Sequence, residues 1–304
     1  MDIQKVILII TLSIFSNFLL QAQEYEFRFY VGANYYQGDL SPRKGKFSFS
    51  QGRIGLATMI GTKLSNAFRL NAKFMIGQIG GDDADANLDN RKIRNLSFDS
   101  PLYEAGINTE ISFNHFFKVL DKYGINIYYT TGINIFKFSP KTTYLTSSGK
   151  HELVDLQPLG TEGQGLPGYK DRYALTQFNI PFGFGFKFQL FDNIEMGFEF
   201  APRITFTDYI DDVSGGYVNY NELVAANRPL TALLANRTGE YLGTGPVMIP
   251  TGTVRGDPSG NDWYFFGSTF LSYNFGKGYV SPQLIKMDEL DSTESETDKI
   301  QNLP

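Results

Sequence analysis

The stretch FNIPFGFGFKFQL, residues 178–190, carries an apolar side chain at every second position. The positions between them hold Asn179, Pro181, Gly183, Gly185, Lys187 and Gln189. A repeat of two residues is typical of a β-strand, because successive side chains of a strand point to opposite faces. The stretch is therefore predicted to be a strand with one wholly apolar face, which lies either on a soluble core or on lipid.

The composition favours strands and turns over helices. Aromatic residues make up 15% and charged residues 19% of the 304 residues, and 31 residues are glycine. The formal net charge of −5 provides no broad basic surface, so nucleic acid is not expected as a partner. The chain has no cysteine, which excludes disulfides, thiolate nucleophiles and the lipid-bearing cysteine of a bacterial lipoprotein.

The N-terminus, MDIQKVILIITLSIFSNFLLQAQ, has the pattern of a secretory signal peptide. Lys5 precedes an apolar run over residues 6–20, and a small and polar Gln-Ala-Gln sequence follows. The run is shorter than the roughly 20 residues that a membrane-spanning helix needs. The mature chain is therefore expected to be exported without a helical anchor.

Alternation like that of residues 178–190 recurs along the chain. We predict eight strands, at residues 26–37, 52–63, 68–79, 102–114, 125–138, 176–190, 194–207 and 262–275. Charges lie on the face opposite the aromatic residues, as Lys73 does beside Phe74. Each segment has about the length that a tilted strand needs to cross a bilayer.

The connections between these strands alternate between short and long. Short ones fall at residues 64–67, 115–124 and 191–193, and long ones at residues 38–51, 80–101, 139–175 and 208–261. This parity is typical of outer-membrane barrels, which have short periplasmic turns and long outer loops. A soluble sandwich has no reason to segregate its long loops in this way.

The polar faces of the strands carry too many charges for a sandwich core, where an unpaired charge is costly. Both signs are present and can pair across the lumen of a closed barrel, which also removes exposed sheet edges. The predicted lumen charges are Arg28, Arg69, Lys73, Glu104, Glu110, Lys187, Glu195, Glu199 and Arg203, with Glu26 beside them. The predicted fold is all-β, an eight-stranded antiparallel transmembrane outer-membrane β-barrel with both termini in the periplasm.

Three regions follow from this interpretation. Residues 1–23 are the signal peptide, and residues 24–276 form the barrel. Residues 277–304 are acidic and rich in Ser and Thr, and they are predicted to be a flexible periplasmic tail.

No catalytic, cofactor or metal site is predicted. His115 and His151, the two histidines, fall on opposite sides of the membrane, although His151 and the aspartates of the fourth outer loop are the alternative of a barrel protease. Residues 207–220 contain three aspartates that suit calcium, but a strand end followed by a tight turn is the interpretation that we favour. The RGD sequence at residues 255–257 is taken as a chance match.

The number of strands limits transport. Side chains nearly fill the lumen of an eight-stranded barrel, so a wide pore for bulky solutes is not expected. A scaffold, a narrow channel for small apolar molecules and a binder that acts through its loops all remain open.

Three stretches together resemble a known family. ANYYQGDLSP (residues 33–42), residues 179–218 and the closing DWYFFGSTFLSYNFG are similar to the PorG-type outer-membrane barrel of the Bacteroidota type IX secretion system. The residues that carry most of the resemblance are Tyr36, Gly38, Asp39, Leu40, Asp208, Tyr209, Asp211, Asp212, Ser214 and Gly215.

The resemblance implies a non-catalytic outer-membrane component, without a cofactor, that is surrounded by outer-membrane lipid. It also implies contact with a periplasmic ring made by a lipoprotein and its soluble partner. The candidate contact residues are Phe116, Phe117, Val119 and Leu120, in a periplasmic turn. The alternatives are a narrow OmpW-like channel for small apolar molecules and a paralogous barrel with a surface-binding role.

Overall fold

The structure, a computed structural model, describes residues 24–42, 49–116, 124–146 and 148–276. The predicted signal peptide and tail lie outside these residues. The strands are β1 (Tyr25–Gln37), β2 (Arg53–Lys63), β3 (Phe68–Asp82), β4 (Ser97–Ser112), β5 (Ile125–Phe138), β6 (Lys141–Leu145), β7 (His151–Asp155), β8 (Thr176–Phe191), β9 (Ile194–Thr205) and β10 (Trp263–Phe275).

Eight of these strands form a closed antiparallel barrel. Their order is β3-β2-β1-β10-β9-β8-β5-β4, and β3 pairs with β4 to close the ring. The first and last strands pair along their whole length, from Tyr25 opposite Phe275 to Gln37 opposite Trp263. The predicted fold class is confirmed, and both ends of the barrel sequence lie on the side of the short turns.

Two features of the strands differ from the prediction. We expected the fourth strand to begin at Leu102, but β4 begins at Ser97, because β3 continues to Asp82 and pairs with this extension. No strand was predicted in the third long connection, which contains the β6–β7 hairpin, joined to β4 at Asp99 opposite Lys141. Strands of five residues carry too little alternation to be recognised in a sequence.

Short helices lie in the other long connections. They are a 3-10 turn at Asp83–Asp85, α1 (Asp89–Arg94), α2 (Tyr220–Ala225), α3 (Pro229–Ala235) and α4 (Thr238–Leu242). Pro229 begins α3, and Gly243 ends α4 in the left-handed conformation that glycine favours. Another 3-10 turn, Phe113–His115, follows β4. None of the helices in the described residues has the length and apolar character to cross a membrane.

The outer face of the barrel is apolar and the lumen is polar, the reverse of a soluble barrel. The alternating apolar side chains of residues 178–190 face outward, and Phe184 is 58% exposed. Pro181, Gly183 and Gly185, which lie between them, face the lumen. Along β1, Phe27 and Phe29 are likewise exposed. Such a surface suits the acyl chains of a bilayer and not water.

Candidate functional site

The lumen is crossed by buried ion pairs. The guanidinium of Arg28 donates to both carboxylate oxygens of Glu110, at 2.6 and 2.8 Å, and also pairs with Glu26. A bidentate pair of this kind is the strong form of the interaction. At the short-turn end, Glu26 accepts from Arg69 at 3.1 Å and from Lys187 at 3.0 Å.

A second group of pairs lies at the middle of the lumen. Lys73 Nζ is 2.6 Å from Glu199 Oε1, and the hydroxyl of Tyr128 donates to Glu199 Oε2 at 3.0 Å. Nearer the short-turn end, Lys187 also pairs with Glu195, at 2.8 Å. The Lys73 ammonium lies 4.0 Å from the centre of the Tyr30 ring, which adds a cation–π contact.

A third group lies toward the long loops. Arg203 Nη2 is 3.0 Å from Glu104 Oε1, and Asn179 Nδ2 donates to Glu104 Oε2 at 2.9 Å. Tyr264 also bonds to Glu104. The structure thus places all nine predicted charges and Glu26 in the lumen, with five acidic and five basic groups among them. Large side chains and paired charges therefore fill the lumen, as expected for eight strands.

The three family-like stretches meet where β1 ends. The hydroxyl of Tyr36 lies 2.6 Å from Asp211 Oδ2 and 2.9 Å from Asp262 Oδ1. A Cβ atom at Gly38 would collide with Tyr36 and Asp262, so only glycine fits there. Since a hydroxyl has one hydrogen, both contacts are favourable only when one of the two carboxyls carries a proton.

Buried polar contacts join the third and fourth long connections. Glu162 Oε1 accepts from Ser214 N at 2.9 Å and Gly215 N at 3.1 Å, and it pairs with Arg255 at 2.9 Å. Tyr173 donates to Asp212 Oδ1 at 2.7 Å. Arg255 is only 4% exposed, so the arginine of the RGD sequence is part of the interior.

The first and second connections are joined in the same way. Asp83 is fully buried and pairs with Arg91 at 3.2 Å and Arg94 at 2.7 Å. Arg94 donates to the carbonyl oxygen of Asp39, whose side chain accepts from Asp257 N at 2.8 Å. We call the described parts of the four long connections, residues 38–42, 49–52, 83–96, 139–146, 148–175 and 206–262, the cap, because these contacts make them one packed body over the barrel mouth.

Burial raises the pKa of several carboxyl groups in the cap. It raises the pKa of Asp208 to about 7, with the nearby charges of Asp39 and Glu162 acting in the same direction. It raises the pKa of Asp212 to about 6, although Arg255 opposes the change. The pKa of Asp211 is also raised, first by burial and then by Asp39.

The cap does not bring the predicted histidine and aspartates together. His151 is exposed on β7, whereas Asp211 and Asp212 are buried in the interior of the cap. Among the described residues, no group of three or more His, Cys, Asp or Glu side chains could hold a metal ion. The segment from Asp208 to Gly215 follows β9 as a turn, and it packs against Tyr36 and Glu162.

The predicted periplasmic contact is described at one position. Phe116 follows the 3-10 turn after β4 and is 61% exposed. Phe117, Val119 and Leu120 lie outside the described residues.

Sequence reasoning did not identify several of the residues that hold the cap. Glu162, Arg255 and Asp83 are buried, Arg94 is partly buried, and all four are paired, but each stands in a loop without a periodic pattern. Arg255 was noticed only as the first residue of the RGD sequence, and its buried pair with Glu162 was not predicted. An arginine in a long loop rich in glycine gives no signal of burial before the loop partner is known.

A family model described as "Domain of unknown function (DUF6089)" matches residues 4–155. No curated protein matches the chain. Similar solved structures include Ail, the attachment invasion locus protein of Yersinia pestis, with 9% identity and a TM-score of 0.37 over 84% of this chain and 100% of that chain. Neisserial surface protein A has 10% identity and a TM-score of 0.39 over 83% of this chain and 97% of that chain. The outer membrane protein OprG from Pseudomonas aeruginosa has 8% identity and a TM-score of 0.35 over 84% of this chain and 97% of that chain. Values this low transfer no property of those proteins to this chain.

Proposed function

We propose that this chain, which belongs to the DUF6089 family of domains of unknown function, is a non-catalytic outer-membrane scaffold barrel of a type IX protein secretion system. In this proposal the short turns face the periplasm, and the barrel contacts the periplasmic ring formed by a lipoprotein and its soluble partner. The long connections and the cap then face outward.

The filled lumen is the observation that carries the scaffold role. Arg28, Lys73 and Arg203 each meet a carboxylate from another strand, and these pairs occupy the lumen at successive levels. A pathway for a solute would require several buried pairs to separate, and separating a buried pair leaves uncompensated charges. A barrel of this kind holds a position in the membrane and offers its ends to partners.

The outward apolar face supports the membrane part of the proposal. Aromatic side chains lie on the outer face where β8 and β10 reach the cap, as in the edge-to-face contact of Phe182 with Trp263 at 5.8 Å. Others lie at the short-turn end, where Tyr25 stacks on Phe275 at 5.6 Å. Two aromatic girdles with an apolar band between them are typical of barrels in the outer membrane.

The assignment to type IX secretion rests on the resemblance to PorG-type barrels. The Tyr36 and Asp208 stretches that carry it are in contact in the folded chain, since Tyr36 bonds to Asp211. The periplasmic ring contact is assigned to the turn that begins at Phe116, because this aromatic side chain is exposed at the short-turn end of the barrel.

Site-specific photo-crosslinking in intact cells tests the ring contact. A photoreactive amino acid at Phe116 is expected to capture the ring lipoprotein or its soluble partner. The same group at Val254, which is 78% exposed in the cap, is the matched control and is expected to capture neither. Capture of lipid alone from Phe116 would contradict the ring contact.

The narrow-channel alternative makes a different prediction. It requires discrete single-channel conductance in planar bilayers, or uptake of one class of small apolar solute that deletion abolishes. The scaffold proposal predicts that the wild-type barrel shows no discrete conductance and that its deletion abolishes no solute uptake.

A further inference from the structure

A groove of about 450 Å³ runs along the outer face of the barrel over β1, β10, β9 and β8. We call it the lateral groove. Its lining residues are Val31, Gly32, Phe184, Phe186, Phe198, Glu199, Phe200, Gly267, Ser268 and Thr269. It is separate from the lumen and from the cap, and it has no part in the proposed contact with the ring.

The groove exists because the outward side chains are small at its floor. Gly267 occupies an outward-facing position of β10, opposite Ala33 of β1 on one side and Phe200 of β9 on the other. A Cβ atom built at Gly267 would meet one atom within 4 Å, Phe200 Cδ2 at 3.8 Å, so the space above it is open. The neighbouring phenylalanines of β8 and β9 form a wall, with Phe186 and Phe198 at 5.3 Å between ring centres.

The polar side chains at the groove either point into the lumen or already donate a hydrogen bond to the barrel backbone. Glu199 turns into the lumen, where it pairs with Lys73. Ser268 donates to the carbonyl oxygen of Glu199, and the Thr269 hydroxyl donates to that of Gly197 at 3.1 Å. Only an apolar occupant suits such a lining, because a polar group placed there would lose its hydrogen bonds to water.

The position of the groove identifies the occupant. Further toward the cap, β1 and β10 lead to a cluster in which Tyr35 stacks on Phe265 at 5.0 Å and meets Phe49 at 5.2 Å. Aromatic clusters of this kind mark the membrane interface, so the groove lies at the depth of the hydrocarbon core. At that depth the surrounding molecules are acyl chains, which are flexible, apolar and narrow enough to enter between phenylalanine side chains.

We propose that the lateral groove binds one acyl chain of a membrane lipid and retains it more firmly than the lipid around the rest of the barrel. This inference rests on the proposed membrane location and is independent of the role in secretion. The bound chain fills the space over Gly267 and contacts Phe184, Phe198 and Phe200.

Native mass spectrometry of the full-length mature barrel, purified in detergent from nanodiscs of phosphatidylethanolamine and phosphatidylglycerol, tests the proposal. Gly267→Phe fills the groove from its floor, and the fit at Cβ indicates that the barrel accommodates it. The matched control is Ala105→Phe, an outward position on β4 away from the groove. Gly267→Leu provides a smaller filling variant in case the phenylalanine impairs folding.

The wild type and Ala105→Phe are expected to retain one phospholipid per barrel, and in Gly267→Phe and Gly267→Leu that retention is expected to fall at least five-fold. Equal retention by all the proteins, or none by any, would overturn the proposal. A wild-type dimer that Gly267→Phe converts to a monomer would also overturn it, because a second copy would then be the occupant. Flotation of the same proteins with phosphatidylethanolamine vesicles tests the membrane location separately. Proteins that float with the vesicles but retain no phospholipid would contradict the groove proposal alone, whereas proteins that do not float would contradict the membrane location.

Discussion

The hydroxyl of Tyr36 lies 2.6 Å from a carboxylate oxygen of Asp211, although the two residues are 175 positions apart in the chain. The contact ties the end of β1 to the fourth long connection. It also joins two of the three stretches on which the resemblance to PorG-type barrels rests, so these residues are best explained by the packing of the cap.

Removal of the Tyr36 hydroxyl is expected to loosen the cap and leave the barrel folded. Tyr36→Phe removes a hydrogen-bond partner from the buried Asp211 and Asp262, which costs about 1–3 kcal/mol. Hydrogen exchange of residues 208–215 should accelerate, and that of β1 to β5 should not. The control is Tyr169→Phe, whose hydroxyl bonds to Glu222 at the surface. Unchanged exchange of residues 208–215 would show that the contact does not hold the cap.

The cap is expected to be more stable in mild acid than in mild alkali. Asp208 and Asp212 have raised pKa values of about 7 and about 6 in the folded chain, against about 4 in an unfolded chain. A raised pKa means that the folded state holds the proton more tightly. The stability that these groups contribute is therefore fully present below about pH 4 and is lost as the pH rises through 6 and 7.

Limited proteolysis of the cap at pH 5 and pH 8 measures this dependence. Cleavage within residues 206–262 should be slower at pH 5, after correction for the activity of the protease on an unfolded substrate. Asp208→Asn resembles the protonated group at every pH, so it should reduce the difference between the two pH values. Faster cleavage at pH 5 than at pH 8 would contradict the expected direction of the pH dependence.

The alternation of side chains predicted the barrel strands and their apolar face, because it repeats every two residues, as β8 shows. The assignment of that face to lipid also needed the alternating lengths of the connections and the charges on the opposite face. The β6–β7 hairpin and the start of β4 were missed, because their bounds depend on strand pairing beyond the membrane-spanning region.

The organisation of the cap was beyond sequence reasoning for a related reason. Glu162 and Arg255 are 93 positions apart, and neither stands in a repeating pattern. Their pairing depends on how two long loops fold over one barrel mouth. Only the Tyr36 and Asp211 stretches could be singled out, and this was through resemblance and not through periodicity.

Breaking a lumen ion pair should destabilise the barrel much more than breaking a surface pair. Glu110→Ala leaves Arg28 buried without its bidentate partner and is expected to cost about 3–5 kcal/mol. Arg53→Ala removes the exposed pair with Asp99 and is expected to cost about 0–1 kcal/mol. Urea unfolding in lipid vesicles compares the two variants, and equal losses would argue against a tightly packed lumen.

The apolar outer face should reject charge in proportion to its depth in the membrane. Phe184→Arg places a charge at the middle of the outward stripe of β8 and is expected to destabilise the inserted barrel by about 2–4 kcal/mol. Val254→Arg makes the same kind of change at an exposed site in the cap and should cost almost nothing. A Phe184→Arg barrel as stable as the wild type in vesicles would indicate that this face is not covered by lipid.

Affinity purification of the tagged barrel from detergent-solubilised outer membranes, with the co-purifying chains identified by mass spectrometry, tests the proposed role most directly. An unrelated tagged eight-stranded barrel from the same membranes sets the background. The scaffold proposal predicts recovery of the ring lipoprotein and its soluble partner with this barrel and not with the control. Recovery of the barrel with neither ring protein would contradict the proposed role in type IX secretion.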